Sequence, residues 1–307
     1  MHICLGTTPT VQQTMQFTHF TPNEVNRAAA VTRHASGKPI NVARVLHTLG
    51  EFVCAIVPLG GQLGNLARED LQKSDIDFAG PTVAAETRLC VTVIENNTAT
   101  ELIEESNPLA ESETDALLAI LLGRIPRCIS LILSGSLAPN VAPDFYAKCC
   151  QIAAKAAKPV ILDARGPELL AALEHRPLIV KPNLAELAST LQIKIVTDAD
   201  LRRAIATLHD RGAQNVVITR GPRGCVLSDA QHLWQIPALQ IPLVSPIGSG
   251  DAFAAGLAAG LSRQLDLPAA AKLATAAAAA NAMMPGAGFL SLDDVQSLQP
   301  RVQLEPF

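Results

Sequence analysis

The chain has 307 residues, of which 49% are apolar and 17% charged, with a formal net charge of −4. This balance excludes a disordered chain and a polybasic nucleic-acid binder, and points to a small-molecule partner. No apolar run reaches the roughly 18 residues a membrane helix requires, and the start Met1-His2-Ile3-Cys4 lacks a basic-then-apolar leader, so a cytoplasmic protein with no membrane partner is expected.

In chain order, Thr14 to Phe20 is an extended segment standing outside any alternation of strand and helix. From there the pattern alternates. Helical period covers Ile40 to Leu49, a buried-strand run follows over Phe52 to Val57, and a second helical segment runs from Leu63 to Lys73. Thr87 to Glu95 and Thr98 to Glu104 are alternating segments joined by Asn96-Asn97, which predicts an antiparallel hairpin apart from the main sheet. Glu113 to Leu122 and Pro143 to Ala157 then read as helices around a strand at Ile129 to Leu133, with further strands at Val160 to Leu162 and Asn215 to Thr219 and a helix at Asp198 to Arg211. Such βαβα order predicts a mainly parallel sheet covered by helices on both faces. The Ala-rich stretch from Asp251 to Ala282, with Gly256 and Gly260 four residues apart, predicts a closely packed pair of buried helices.

Seven cysteines at irregular spacings form no C-x-x-C pair and no zinc pattern, so they read as reduced core thiols, the adjacent Cys149-Cys150 included.

Two runs carry chemistry. Gly248-Ser249-Gly250-Asp251 opens a helical stretch, where backbone N–H groups and the positive end of the helix dipole form a pocket for anionic oxygen. Asp251 beside it is suited to accept the proton of an attacking hydroxyl, although helix capping alone also accounts for the run. Ser36-Gly37-Lys38-Pro39-Ile40-Asn41 places glycine and a cation ahead of an earlier helix, a pattern an ordinary loop-to-helix junction with Pro in its first turn equally explains.

Together these runs resemble the PfkB/ribokinase family of carbohydrate kinases, on the 1-phosphofructokinase and tagatose-6-phosphate kinase side. That resemblance implies a single kinase domain over residues 1–307: a three-layer α/β/α sandwich with a mainly parallel sheet and a small β lid formed by strands at about 10–35 and 86–105. It implies ATP and Mg²⁺ as cofactors, leaves a monovalent cation open, and makes a sugar or sugar phosphate the partner of a homodimer joined through the lid. By the same resemblance Gly248, Ser249 and Gly250 supply the anion hole and Asp251 the base, while Gly37, Lys38, Asn41 and Ser136 belong to the sugar site.

Val25-Asn26-Arg27 is similar to a lid-strand motif, and Glu86-Thr87-Arg88 to one whose arginine holds the phosphate already on the sugar, as a planar fork can. Lys181-Pro182-Asn183-Leu184-Ala185-Glu186 resembles the segment in which Asn183 and Glu186 organise Mg²⁺ and nucleotide phosphates; a capping box explains the same pair without a ligand. Thr219, Gly221, Gly224 and Asn281 match weaker nucleotide-side positions.

Three departures stand out. Gln12 occupies the place of an acidic residue that receives sugar hydroxyls, Ser36 and Pro39 replace glycines, and Ser245-Pro246 replaces Asp-Thr. The expectation is a kinase transferring the γ-phosphoryl group of ATP to a small phosphosugar, of fructose 1-phosphate, fructose 6-phosphate or tagatose 6-phosphate type. Rival expectations are a kinase of unphosphorylated sugars or nucleosides, a catalytically silent sensor, and a scaffold protein.

Overall fold

The central strands are buried throughout, and successive residues along them fall alternately into two cores. The computed structural model describes residues 1–96 and 98–307. The chain begins with β1 (His2–Leu5), β2 (Thr10–Gln16), β3 (Ala30–Ser36), α1 (Lys38–Thr48), β4 (Val53–Ile56), α2 (Gly61–Lys73) and β5 (Asp77–Ala79). Next come β6 (Arg88–Glu95), β7 (Thr98–Ile103), α3 (Glu111–Arg124), β8 (Leu131–Ser134), α4 (Phe145–Lys155), β9 (Val160–Asp163) and α5 (Gly166–Leu173). The remainder is β10 (Ile179–Val180), α6 (Leu184–Leu191), α7 (Asp198–Asp210), β11 (Asn215–Thr219), β12 (Cys225–Ser228), β13 (Leu233–Ile236), α8 (Ser249–Ser262), α9 (Leu267–Ala282), α10 (Leu292–Leu298) and β14 (Glu305–Pro306).

The large sheet has the order β14-β13-β12-β11-β10-β9-β8-β1-β4-β5, parallel from β11 to β5 and antiparallel beyond. Ile132, Ile161, Ile179 and Val217 point to the face covered by α1, α8 and α9, whereas Leu133, Leu162, Val180 and Ile218 meet α3 to α7. Period-two alternation thus builds both interfaces of an α/β/α sandwich. Ser134 and Asp163 close β8 and β9, and Lys181 follows β10, so these polar groups stand at the carboxyl ends of adjacent strands. Open parallel sheets bind ligands there.

The Ala-rich helices pack as expected. A Cβ at Gly256 would run into Ala274, and one at Gly260 would lie 2.5 Å from the Ala270 Cβ, so the bare glycines let α8 and α9 approach backbone to backbone. All seven cysteines are buried and free.

A separate sheet, β3-β2-β6-β7, forms the lid. The expected hairpin is the antiparallel pair β6/β7; Asn97 of its joint lies outside the described residues. The extended segment expected at Thr14 to Phe20 is shifted to Thr10–Gln16, because its partners Ala30–Ser36 and Arg88–Glu95 pair with that stretch in register. β3 itself, AVTRHAS, carries too little apolar alternation to read as a strand. Arg27 and its neighbours, expected on a lid strand, lie instead in the exposed loop between β2 and β3, where Asn26 closes a turn through the Thr21 N–H and carbonyl.

No described helix is long and apolar enough to cross a membrane.

Candidate active site

α8 starts on Gly248, whose φ of +82° places it in the left-handed region, and whose Cβ would meet Ala287 at 2.8 Å. Glycine satisfies both constraints. The expected three-amide pocket needs correction: the Ser249 N–H donates to the Pro246 carbonyl at 3.2 Å, and the Asp251 N–H to the Gly248 carbonyl at 3.0 Å. Among the described residues, the N–H groups of Gly248 and Gly250 have no main-chain acceptor, so these two are the available donors. The Ser249 hydroxyl is buried beside them without a partner.

Asp251 lies beneath Gly250 with only 5% of its surface exposed. Its Oδ2 accepts from Asn41 Nδ2 at 2.8 Å, and Asn41 Oδ1 in turn accepts from Ser36 Oγ at 2.8 Å. Burial pushes the Asp251 carboxyl up to about 6, against the opposing pull of Lys38 and the Asn41 hydrogen bond. Asn41, expected on sugar hydroxyls, therefore spends its amide on holding the base. Ser36, which replaces a glycine, supplies the bond that orients Asn41, and Pro39 falls in the first turn of α1, where its missing N–H costs no helical bond.

Gly37, with φ of +99°, brings this motif against the Thr7–Pro9 loop: a Cβ there would sit 2.9 Å from the Thr8 carbonyl. Lys38 extends toward two acids, Asp163 Oδ2 at 3.5 Å and Glu186 Oε1 at 3.7 Å. Burial alone would lower its pKa, yet Asp163, Asp251 and Glu186 outweigh that effect and keep it protonated. Asp163 is 1% exposed and paired also with Lys181 at 3.2 Å; desolvation by burial is overcome by the two ammonium groups, which hold its carboxyl below the ordinary range. Among the described residues, Asp163 Oδ1 and the Ser134 hydroxyl have no hydrogen-bond partner. Asp163 escapes sequence inspection because an Asp in Leu-Asp-Ala is unremarkable until β9 ends beside α1 and β10. Lys181 stands in a recognised run yet shows no role until its ammonium group is seen beside Gly250.

Asn183 caps α6, its Oδ1 accepting from the Glu186 N–H while Glu186 Oε2 accepts from the Asn183 N–H, both at 2.8 Å. The capping box exists, and it leaves Glu186 Oε1 facing Lys38. Thr219 ends β11 and forms a bridge with Asn183, so its turn through Gly221 and Gly224 lies beside that cap.

Asn281, expected on the nucleotide side, is buried behind the loop ahead of α8. It has 0% exposure, its Nδ2 donates to the Ile247 carbonyl and its Oδ1 accepts from the Gly288 N–H, so it braces the loop ahead of α8.

On the lid side, Arg88 donates to the Glu104 and Thr8 carbonyls, while its Nε and the Ser106 hydroxyl line a small cavity without partners among the described residues. Ser136 is exposed, and its carbonyl receives the hydroxyls of Thr7 and Thr8. Gln12 is buried, donating to Thr92 Oγ1 at 2.7 Å. Arg27 makes no contact with these groups among the described bonds.

A buried carboxylate with a raised pKa, two free amides at a helix start and a charged row at the strand ends define a phosphotransferase with an alcohol acceptor. Residues 4–294 match the pfkB family carbohydrate kinases, and the chain belongs to that family. It is 28% identical over 307 residues to a tagatose-6-phosphate kinase of Staphylococcus epidermidis, covering 99% of both chains. Its fold is similar to that of phosphofructokinase-2 from Escherichia coli: 25% identity, 98% of each chain covered, TM-score 0.89 for the complex with potassium and 0.87 for the complex with fructose-6-phosphate. The chain is a carbohydrate kinase of ribokinase-like fold.

Proposed function

We propose that the whole chain, 1–307, acts as one cytoplasmic kinase unit with the lid strands inserted in it, and that its acceptor is a ketose phosphate of the tagatose 6-phosphate or fructose 6-phosphate type. The observation that carries the proposal is Asp251, buried, oriented by Asn41 and adjoining the free Gly248 and Gly250 amides. The acceptor hydroxyl gives its proton to the Asp251 carboxylate as its oxygen attacks the γ-phosphorus; the bond to the β,γ-bridging oxygen breaks, and ADP leaves with that electron pair. The two amides, with the Lys38 ammonium nearby, face the charge that develops on the transferred group.

Arg88, with its unpartnered Nε, is assigned to the phosphate already on the acceptor, and Ser136 and Gln12 to the same side of the cleft. Lys38, by contrast, points to Asp163 and Glu186, which suits contact with the transferred group better than with the acceptor's own phosphate. The nucleotide lies beside Asn183, Thr219, Gly221 and Gly224 in this assignment.

Mg²⁺ fits the donors available: no described cluster of three or more His, Cys, Asp or Glu could hold a metal alone, and Mg²⁺ needs only one or two carboxylates besides phosphates and water. Asp163, with Oδ1 unpartnered, and Glu186 supply these, and the ion would neutralise phosphate charge. A monovalent cation is included on the strength of the potassium complex of the Escherichia coli enzyme.

Lid pairing into a homodimer is supported by the apolar lid face: Met15, Val31 and Val93 share it by register, and Val31 and Leu102 are 50% and 58% exposed. The deciding experiment measures ADP release with fructose 1-phosphate, fructose 6-phosphate, tagatose 6-phosphate, fructose, ribose and adenosine. A ketose phosphate should outpace the rest; preference for an unphosphorylated acceptor would overturn the assignment.

A further inference from the structure

The short segment from Gly286 to Phe289 touches three parts of the site at once. A Cβ on Gly288 would lie 2.9 Å from Asn41 Cα and 3.1 Å from its Cβ, so the segment packs directly on the residue that holds Asp251. Ala287 packs against Gly248, and the Gly288 N–H is tied through Asn281 to the Ile247 carbonyl. Phe289 then reaches the lid. Its ring meets His34 of β3 edge-on, with centroids 4.8 Å apart at 86°, and the Arg44 guanidinium lies 4.6 Å over the ring.

Arg44 also donates to the Ala35 carbonyl and to Asp70, while Asp70 accepts from the Ala35 N–H, so the base of β3 is pinned to α1 and α2. Phe289 is thus the one side chain of this segment that joins lid strand to catalytic segment. His34 is 5% exposed, and burial together with Arg44 drives its pKa to about 4, so it meets the ring as a neutral imidazole.

We propose that Phe289 is a positioning residue: it transmits the placement of lid strand β3, through Gly288 and Asn41, to the carboxylate of Asp251. Edge-on aromatic and cation–π contacts both depend on a flat ring, so an aliphatic side chain of similar bulk fills the space without holding the angle. The link rests on the kinase function proposed above, in which Asp251 accepts the proton. It implies that the base reaches its productive position only when the lid strand is seated.

The test compares Phe289→Leu, Phe289→Tyr, His34→Ala and the Leu/Ala double variant, each first checked for native melting behaviour. Phe289→Leu should lower kcat about 10-fold with both KM values near wild type, since a displaced base costs turnover rather than binding. Phe289→Tyr keeps the ring and should restore turnover. The double variant should be no worse than Phe289→Leu, because both residues act through one contact.

A second measurement needs no turnover: carbon NMR of aspartate-labelled protein, with the Asp251 signal assigned from Asp251→Asn. The groups facing that carboxyl are Lys38 of α1, Asp163 of β9 and Lys181 beyond β10. Loosening Asn41 removes a bond to the charged form, so Phe289→Leu should raise the Asp251 titration by about one pH unit. Unchanged kcat and titration in Phe289→Leu, or additive losses in the double variant, would overturn the relay. Should no sugar be phosphorylated by the wild type, the proposed function fails, and the titration still decides whether Phe289 governs Asp251.

Discussion

Asp251 places activity and stability in opposition. Its carboxyl is raised from the ordinary 3.8 to about 6 chiefly by burial, so the folded chain disfavours the ionised form needed by a base. At about 1.4 kcal/mol per pH unit, this rise corresponds to about 3 kcal/mol lost on ionisation. The sign follows from linkage: the stabilising effect of the protonated group is full below about pH 4 and is lost as the pH climbs through about 6.

Asp251→Asn should therefore do two things. It should abolish most turnover while leaving ATP affinity near wild type, and it should raise stability at pH 8 by about 1–3 kcal/mol, the lower end reflecting the anionic neighbour that Lys38 loses. Urea unfolding at pH 8, 5 and 3 measures this directly. The gain should shrink by about half at pH 5 and vanish near pH 3, and wild-type kcat should rise through about pH 6. An Asn variant no more stable than wild type at pH 8, or equally stabilised at every pH, would refute the burial cost, and wild-type turnover would refute the role as base.

Arg88→Ala should raise KM for a ketose phosphate about 10-fold or more while leaving that for an unphosphorylated ketose unchanged, as steady-state kinetics would register. Ser36→Gly removes the hydroxyl bonded to Asn41 Oδ1 and should lower kcat severalfold with little change in KM, in the same assay. Gly256→Val forces a side chain into Ala274 and should cost about 3 kcal/mol in urea unfolding, with soluble yield falling in parallel. Leu102→Glu charges the exposed lid face and should shift the sedimentation coefficient to that of a single chain.

The parts of this molecule that are legible in the sequence are those whose signal is local. Asn215–Thr219 carries four successive β-branched residues after Asn215 and is a strand at those bounds; the glycines before Asp251 announce a helix start because φ at Gly248 is a local demand. β3 is not legible, since both of its faces mix polar with apolar residues and its pairing is imposed by β2. The role of Asp163 appears only when four distant stretches converge, and two cations can share one buried carboxylate only after the sheet has brought them there. Asn281 looks like a ligand contact from its place near the end of an Ala-rich helix, whereas its orientation is decided by the main-chain groups of two loops. Asn183 and Glu186 keep both meanings, because the capping box consumes one carboxylate oxygen and leaves the other facing Lys38.

The contact of α8 with α9 through bare backbone has a consequence for how such a kinase can diversify. Interlocked at Gly256 and Gly260, the helix bearing the base has no slack through which to pivot when a differently shaped acceptor arrives. Adaptation must fall on the opposite wall of the cleft, on strands of the four-stranded flap away from the pinned β3, where one polar group can be exchanged for another, as Gln12 on β2 illustrates.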